Sequence, residues 1–389
     1  MPTDPIVIDV HTHAFPRLGT ASGGETAAFH TACIQHHVQQ HPQGIRRVAD
    51  DARVREHLLA PDGDGIDALL NVGFHVGENG RIEFNVEGEN YYIQWYPAWM
   101  SDMKAPPRLM VSFMNYVGVD VGVLQHDHVY GALDDYLADV VRQYPGRFLA
   151  LAQVREWQAD RDEQLERLRR QVEDLGHSGL YYSAEGHAHT NYESNLADAR
   201  WEPLWDLVAK LKIPVFWYLH TPRQPRFERY VEQAECLNRW AAEHEDIPCV
   251  WTHGIETPIM RPRSRRFDVP PSFLECLKRP NLHLELMLQL MAPDTQYPWP
   301  WAQEMVKVFY DQLGPQKLLW GSDMPAAERS TSYAQAMDYI RLHCGFLTEN
   351  DRQLIFGGNA ARLFGIDRPG RFREVREART APGRERVDV

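Results

Sequence analysis

Short β-branched runs alternate with amphipathic helical stretches along most of this chain. Eight such runs can be counted, and several end in residues able to bind a metal. These observations predict a (β/α)8 barrel, a parallel sheet closed on itself and ringed by helices. The length of 389 residues agrees, since barrels with insertions run from roughly 200 to over 400 residues.

The first run is Ile6-Val7-Ile8-Asp9-Val10, and it ends in His11-Thr12-His13. Alternate side chains of a strand share a face, so the two imidazoles leave its C-terminal end side by side. An apolar run over 119–125 is the second strand. The stretch 132–144 follows, with Leu133, Tyr136, Leu137, Val140 and Val141 at helical spacing, and Pro145-Gly146 stops it. Residues 148–154 form the third strand, and Leu165, Leu168, Val172 and Leu175 the next helical stripe. Residues 179–182 give a short strand. Asp198 is placed to cap a helix carrying Trp201, Leu204, Trp205, Val208 and Leu211. Residues 214–220 are the fifth strand, before a helix containing Val231, Ala234, Leu237 and Trp240. Strands over 249–253, 282–286 and 317–323 complete the eight, with helices over 302–312 and 349–364. The runner-up, an open doubly wound sheet, would want a glycine-rich loop after the first strand. His11-Thr12-His13 stands there instead.

Residues 16–112 are too long for one crossover. Within them 68–74, 81–86 and 91–95 alternate apolar and polar, with Glu78-Asn79-Gly80 and Glu87-Gly88 as turns. This reads as a small β-rich cap inserted after strand 1, over the catalytic face. The expected organisation is a barrel of 1–15 and 113–366, a cap of 16–112 and a polar C-terminal arm of 367–389.

Composition is that of a globular enzyme, 43% apolar and 24% charged. A net charge of −13 argues against nucleic-acid or anionic-membrane partners. No run of 18 apolar residues and no signal-peptide pattern occurs. Five widely spaced cysteines without a CxxC fit reduced thiols in a cytoplasmic protein. The expected partner is a small molecule, and the chain is expected to form a homodimer or larger homo-oligomer.

Strand 1 ends in His11 and His13, strand 5 in His220, strand 6 in His253 and strand 8 in Asp323. In a barrel all these ends meet at one mouth. Three or four imidazoles and one carboxylate suit a transition ion such as Zn²⁺, whereas hard cations want mostly oxygen.

The pattern resembles the amidohydrolase superfamily, in its amidohydrolase-related branch that includes aminocarboxymuconate semialdehyde decarboxylase. The residues that carry it are Ile8-Asp9-Val10-His11-Thr12-His13, Tyr144-Pro145-Gly146-Arg147-Phe148, Thr252-His253-Gly254, Trp320-Gly321-Ser322-Asp323-Met324-Pro325 and Asn359-Ala360-Ala361-Arg362. The resemblance implies that His11, His13, His220 and Asp323 hold a single divalent ion, Zn²⁺ first and Mn²⁺ second. It implies that His253 is the general acid/base, with Asp323 beside it at the catalytic centre. Two-metal relatives use a lysine on strand 4, and this chain has none there. The expected reaction is nonoxidative decarboxylation of an aromatic or unsaturated carboxylate, with hydrolysis of an ester, lactone or amide as the alternative. A metal-bound ligand carrier without catalysis is the non-enzymatic alternative. Arg17, Arg81 and Arg223 are candidates to clamp a substrate carboxylate. Tyr91, Tyr92, Trp95, Tyr96 and Trp99 could wall an aromatic substrate or form the cap's own core. His126, His128, His187 and His189 follow predicted strands without matching a ligand position.

Overall fold

The first strand, β1 (Ile8–Thr12), is buried along its whole length. It pairs in parallel with β6 (Val121–Leu124). From there the sheet runs through β7 (Phe148–Gln153), β8 (Gly179–Ser183), β9 (Val215–Tyr218), β10 (Cys249–Trp251), β11 (Leu282–Leu286) and β12 (Leu318–Trp320). Every neighbouring pair is parallel. The ring closes where Thr12 bridges Met324 in parallel. There His13 N donates to Met324 O at 2.8 Å and Asp323 N to His11 O at 2.9 Å. The chain is therefore an eight-stranded parallel barrel. This computed structural model describes residues 5–40, 44–54, 58–60, 62–219, 227–255, 269–287 and 296–366. The expected arm 367–389 lies outside them, as do His220 and Arg223.

Strand alternation divides the apolar residues between two cores. Ile8, Val10, Val121, Val123, Leu151, Phe216, Val250 and Leu319 fill the barrel's interior. Trp205, Trp217, Trp240, Trp251 and Trp320 belong to the layer between sheet and helices. The rings of Trp205, Trp217 and Trp240 stand 4.7–5.3 Å apart. Strand β1 breaks the alternation: from Asp9 to Thr12 it advances three residues while β6 advances two, from Gly122 to Leu124. The extra residue is a bulge, a device that re-aims side chains beside functional sites. It allows Val10 to sit in the interior core while His11, the next residue, also faces the centre.

Between β1 and β6 lies the insertion. It contains a helix, Ala27–Gln40, and an antiparallel sheet ordered β2 (Arg46–Arg47), β5 (Glu89–Gln94), β4 (Arg81–Val86), β3 (His75–Val76). Strands β4 and β5 form a two-residue hairpin through Glu87 and Gly88. Both have positive φ (53° and 86°), which matches the right-handed twist of the strands. The strand expected over 68–74 does not form. A short turn of helix, Ile66–Ala68, and irregular chain replace it, and only His75–Val76 pairs. Gly73, at φ 58°, is incompatible with an extended ladder. The insertion returns through a bridge between Phe15 and Ala105 and a helix, Pro107–Val117, that crosses residues 112 and 113. It also grips the loop after β12: Trp99 Nε1 donates to Glu328 (2.8 Å) and Arg329 Nη1 to Trp95 O (3.0 Å). Among the described residues no helix is long and apolar enough to cross a membrane, and all five cysteines are buried and unpaired.

Asp9 fastens the closing seam. Its carboxylate accepts from Ser322 N (3.0 Å), Ser322 Oγ (2.5 Å), Tyr333 Oη (2.7 Å) and His11 N (3.0 Å). Asp9→Ala strands these donors, each worth about 1–3 kcal/mol when left unsatisfied. We expect urea unfolding of the variant to show a loss of at least about 3 kcal/mol. A loss below about 1 kcal/mol would remove Asp9 from this role.

Candidate metal centre

At the closed seam three side chains converge. His11 Nε2 lies 3.1 Å from His13 Nε2, His13 Nε2 lies 3.1 Å from Asp323 Oδ1, and His11 Nε2 lies 3.8 Å from the same oxygen. The strands dictate this closeness: His11 and His13 stand at the end of β1 and Asp323 just past β12, and the seam bonds hold the two segments together.

The opposite ring nitrogens fix the tautomers. His11 Nδ1 faces Glu285 Oε1 at 2.9 Å and Oε2 at 3.2 Å. His13 Nδ1 faces Gln125 O at 3.2 Å. Both partners only accept, so each Nδ1 carries the proton. With both rings neutral, two Nε2 lone pairs and a carboxylate oxygen face one another, an arrangement that could hold a metal ion. Tetrahedral ligands about 2.0–2.1 Å from a zinc ion stand about 3.3 Å apart, so this donor set fits one. His11, His13 and Asp323 are also the one group of metal-binding geometry found among the described residues.

Glu285 is fully buried inside the barrel. Besides His11 it accepts from His253 N at 2.9 Å and from Thr252 Oγ1. Burial alone would raise its pKa, but the charge and hydrogen bond of His11 outweigh this and hold it below the usual range. For His11 burial pushes down, while the charge and hydrogen bond of Glu285 lift the ring above its ordinary value. A carboxylate behind a histidine ligand raises its basicity and sets its orientation.

His253 stands past the end of β10, its ring 4.4 Å from that of His11 and 4.5 Å from that of Tyr218. Burial lowers its pKa to about 3, so the ring is neutral. Its Nδ1 is buried without a hydrogen-bond partner. Both His253 (φ 65°) and Asp323 (φ 61°) occupy the left-handed region, which L side chains seldom adopt. Such strain clusters at functional sites, where the surrounding structure enforces it.

The remaining expected residues are scattered. Arg17 is exposed, and Arg81 lies over the Tyr92 ring of the cap at 4.1 Å. Among the described residues neither joins the contacts around His11, His13, His253 and Asp323. From the aromatic set, Tyr96 reaches the mouth: it packs on Phe15, faces the hydroxyl of Tyr130 and feels the charge of Asp323. Tyr130 stacks on His13 at 4.5 Å. Tyr92 instead turns to Asp51 within the cap. His126 holds a turn through Gly131 O at 2.7 Å, and His128 pairs with Glu156 at 2.6 Å. His189 stacks on Trp157 at 3.8 Å, and His187 bonds Ser194 Oγ at 2.7 Å. Sequence reasoning missed Glu285, Gln125, Tyr130 and a polar wall in which His36 and His37 each hold Glu185 at 2.8 Å near Asp127. A glutamate set in the leucine-rich strand β11 was a legible signal.

A family model described as amidohydrolase matches residues 8–366. L-fucono-1,5-lactonase from Burkholderia ambifaria is 28% identical over 137 residues, 34% of this chain and 47% of that enzyme. The match thus spans about half the length of the curated relative. A probable 2-pyrone-4,6-dicarboxylic acid hydrolase from Acinetobacter baumannii has the same fold, with a TM-score of 0.51 and 19% identity over 68% of this chain and 90% of that one. A 2,6-dihydroxybenzoate decarboxylase from Rhizobium aligns with a TM-score of 0.49 and 17% identity, over 68% of this chain and 90% of that one. Lactone hydrolases and decarboxylases both stand among the proteins this chain resembles.

Glu285→Ala should weaken binding of Zn²⁺ or Mn²⁺ by about 10- to 100-fold, the usual effect of losing a partner behind a ligand. Competition with a chelator on folded protein measures it. Unchanged affinity would show that Glu285 does not support the ligand set.

Proposed function

The chain belongs to the amidohydrolase family, and from that premise we propose that it is a one-metal enzyme that hydrolyses a lactone or related ester. The observation that carries this reading is the joining of His11, His13 and Asp323 to His253, whose ring Nδ1 is buried without a hydrogen-bond partner, in a mouth rich in hydrogen-bonding groups. Sequence similarity to a lactonase supports it. The ligand set is His11, His13 and Asp323, with His220 as the fourth member carried over from the family pattern. A bound divalent ion would supply Lewis-acid polarisation of the substrate carbonyl and activation of water.

The chain's own groups do the rest. Glu285 and Gln125 O hold both ligand rings by their Nδ1 protons, so neither ring must reorganise during turnover. His253 accepts the proton of the attacking water at Nδ1. The new C–O bond forms, the ring C–O bond breaks, and the proton passes to the departing oxygen. The transfer needs a lone pair that no neighbouring donor occupies, and Nδ1 is buried without a hydrogen-bond partner. Tyr130 and Tyr96 offer hydroxyls beside His13 and Asp323, while Asp127 and Glu185 suit a substrate with hydroxyl groups.

The aromatic group of Phe15, Tyr96 and Tyr130 beside His13 favours the second reading, decarboxylation of an aromatic or unsaturated carboxylate. There His253 would deliver a proton to carbon as CO2 leaves. A pH-stat screen of sugar and aryl lactones, run beside a CO2-release screen of aromatic carboxylates, separates the two. We expect acid release from a lactone without CO2. CO2 from a carboxylate, with every lactone inert, would replace the first reading by the second.

His253→Ala should keep its metal and lose about 10²–10⁴-fold in turnover, the range for a positioned acid or base. Metal content and kcat measured on the same preparation check this. Loss of the ion together with activity would make His253 a ligand.

A further inference from the structure

Beside the barrel mouth, between the loop that follows β8 and the helix Phe227–Glu243, lies a cavity of about 330 Å³. Cavities that hold small molecules begin at about 300 Å³. Its lining includes none of His11, His13, His253 or Asp323. Three polar atoms in its wall are buried without a hydrogen-bond partner, His187 Nε2, Arg229 Nη1 and Tyr192 Oη. His187 is 1% exposed and Ser194, beside it, 2%. Native proteins seldom leave such groups unmatched, so each calls for an explanation.

The surrounding bonds define what each atom needs. Arg229 lies 4.0 Å over the Tyr192 ring, and its Nη2 pairs with Asp64 at 3.2 Å. A guanidinium can only donate, so Nη1 needs an acceptor. For His187 a proton chain settles the polarity. Thr190 Oγ1 donates to His187 O at 3.1 Å, which leaves Ser194 Oγ to donate to Thr190 Oγ1 at 3.2 Å. His187 Nδ1 then donates to Ser194 Oγ at 2.7 Å. Burial holds the ring neutral, so Nε2 presents a lone pair to the cavity and needs a donor. Ala184, Leu196 and Cys236 are buried and give the cavity an apolar side, while Glu232, Glu235 and Arg239 are exposed at its edge.

We propose that this cavity is a second binding site, for a small hydroxy-monocarboxylate whose carboxylate sits on Arg229 Nη1 and whose hydroxyl donates to His187 Nε2. The apolar body of the ligand packs on Leu196 and Cys236. Lactone hydrolysis also releases a hydroxycarboxylate, but the inference rests on the cavity's own donors and acceptors and stands whichever reaction the metal centre performs.

Mandelate is a suitable probe, with phenylacetate (no hydroxyl) and mandelamide (no charge) as controls. Isothermal titration of the metal-loaded enzyme should show one mandelate bound per chain, more tightly than either control. Arg229→Gln should weaken mandelate binding about 10- to 100-fold, the worth of one charge-assisted hydrogen bond. Ser194→Leu should abolish it by filling the cavity and breaking the proton chain. Thermal melts establish that both variants fold; if Arg229→Gln does not, Ser194→Leu decides. The absence of mandelate binding, or the same affinity in a folded variant of either kind, would overturn the proposal. In the latter case mandelate would be seated elsewhere, the metal centre included.

Discussion

The site depends on the seam where the first and last strands meet. A parallel barrel closes only if β1 and β12, at opposite ends of the sequence, are brought into register. Here Asp9 does much of that. Its carboxylate collects donors from Ser322, Tyr333 and His11, so one residue of β1 grips the segment that follows β12. Burial pushes its pKa up to about 7 against the pull of those donors. His11 and His13 follow Asp9 in sequence, and Asp323 follows Ser322. Closing the fold and assembling the donor set are therefore one event. The bulge in β1 completes it by turning His11 inward without expelling Val10 from the interior core.

Around this seam the site is built from elements with different tolerances. The donor atoms come from strand ends, the most rigid positions available. Glu285, inside β11, links His11 at the end of β1 to Thr252 and the backbone of His253 after β10, so one carboxylate ties two separate strand ends of the mouth together. His253 and Asp323 both hold left-handed backbone, and Gly254, at φ 77°, eases the turn after the first of them. The cap brings Tyr96 over this centre and is anchored to the loop after β12.

Much of this was legible in the sequence. The eight apolar runs became the eight barrel strands, because a strand covered on both faces needs nearly continuous apolar residues. His11, His13 and Asp323 were legible because strand ends converge in a barrel. Glu285 was passed over since the leucines around it mark the helix-facing side of β11, and the inward side of that strand is polar. The helix Ala27–Gln40 was invisible for a related reason. His30, Gln35, His36, Gln39 and Gln40 are buried along with Ile34 and Val38, so it shows no apolar stripe to read. The run over 68–74 looked like a strand because apolar residues cluster there. In the structure Leu70 O is taken up by Gln35 of that helix, and Gly73 turns the chain away from any ladder.

The central claim is that closing the barrel creates a site for one divalent ion. Anomalous diffraction from crystals of metal-loaded protein, recorded on both sides of the metal's absorption edge, tests it most directly. The account predicts a single strong peak per chain, bound by His11 Nε2, His13 Nε2 and Asp323 Oδ1 at about 2.0–2.2 Å. Two comparable peaks in the mouth, or a peak not bound by these three atoms, would contradict it.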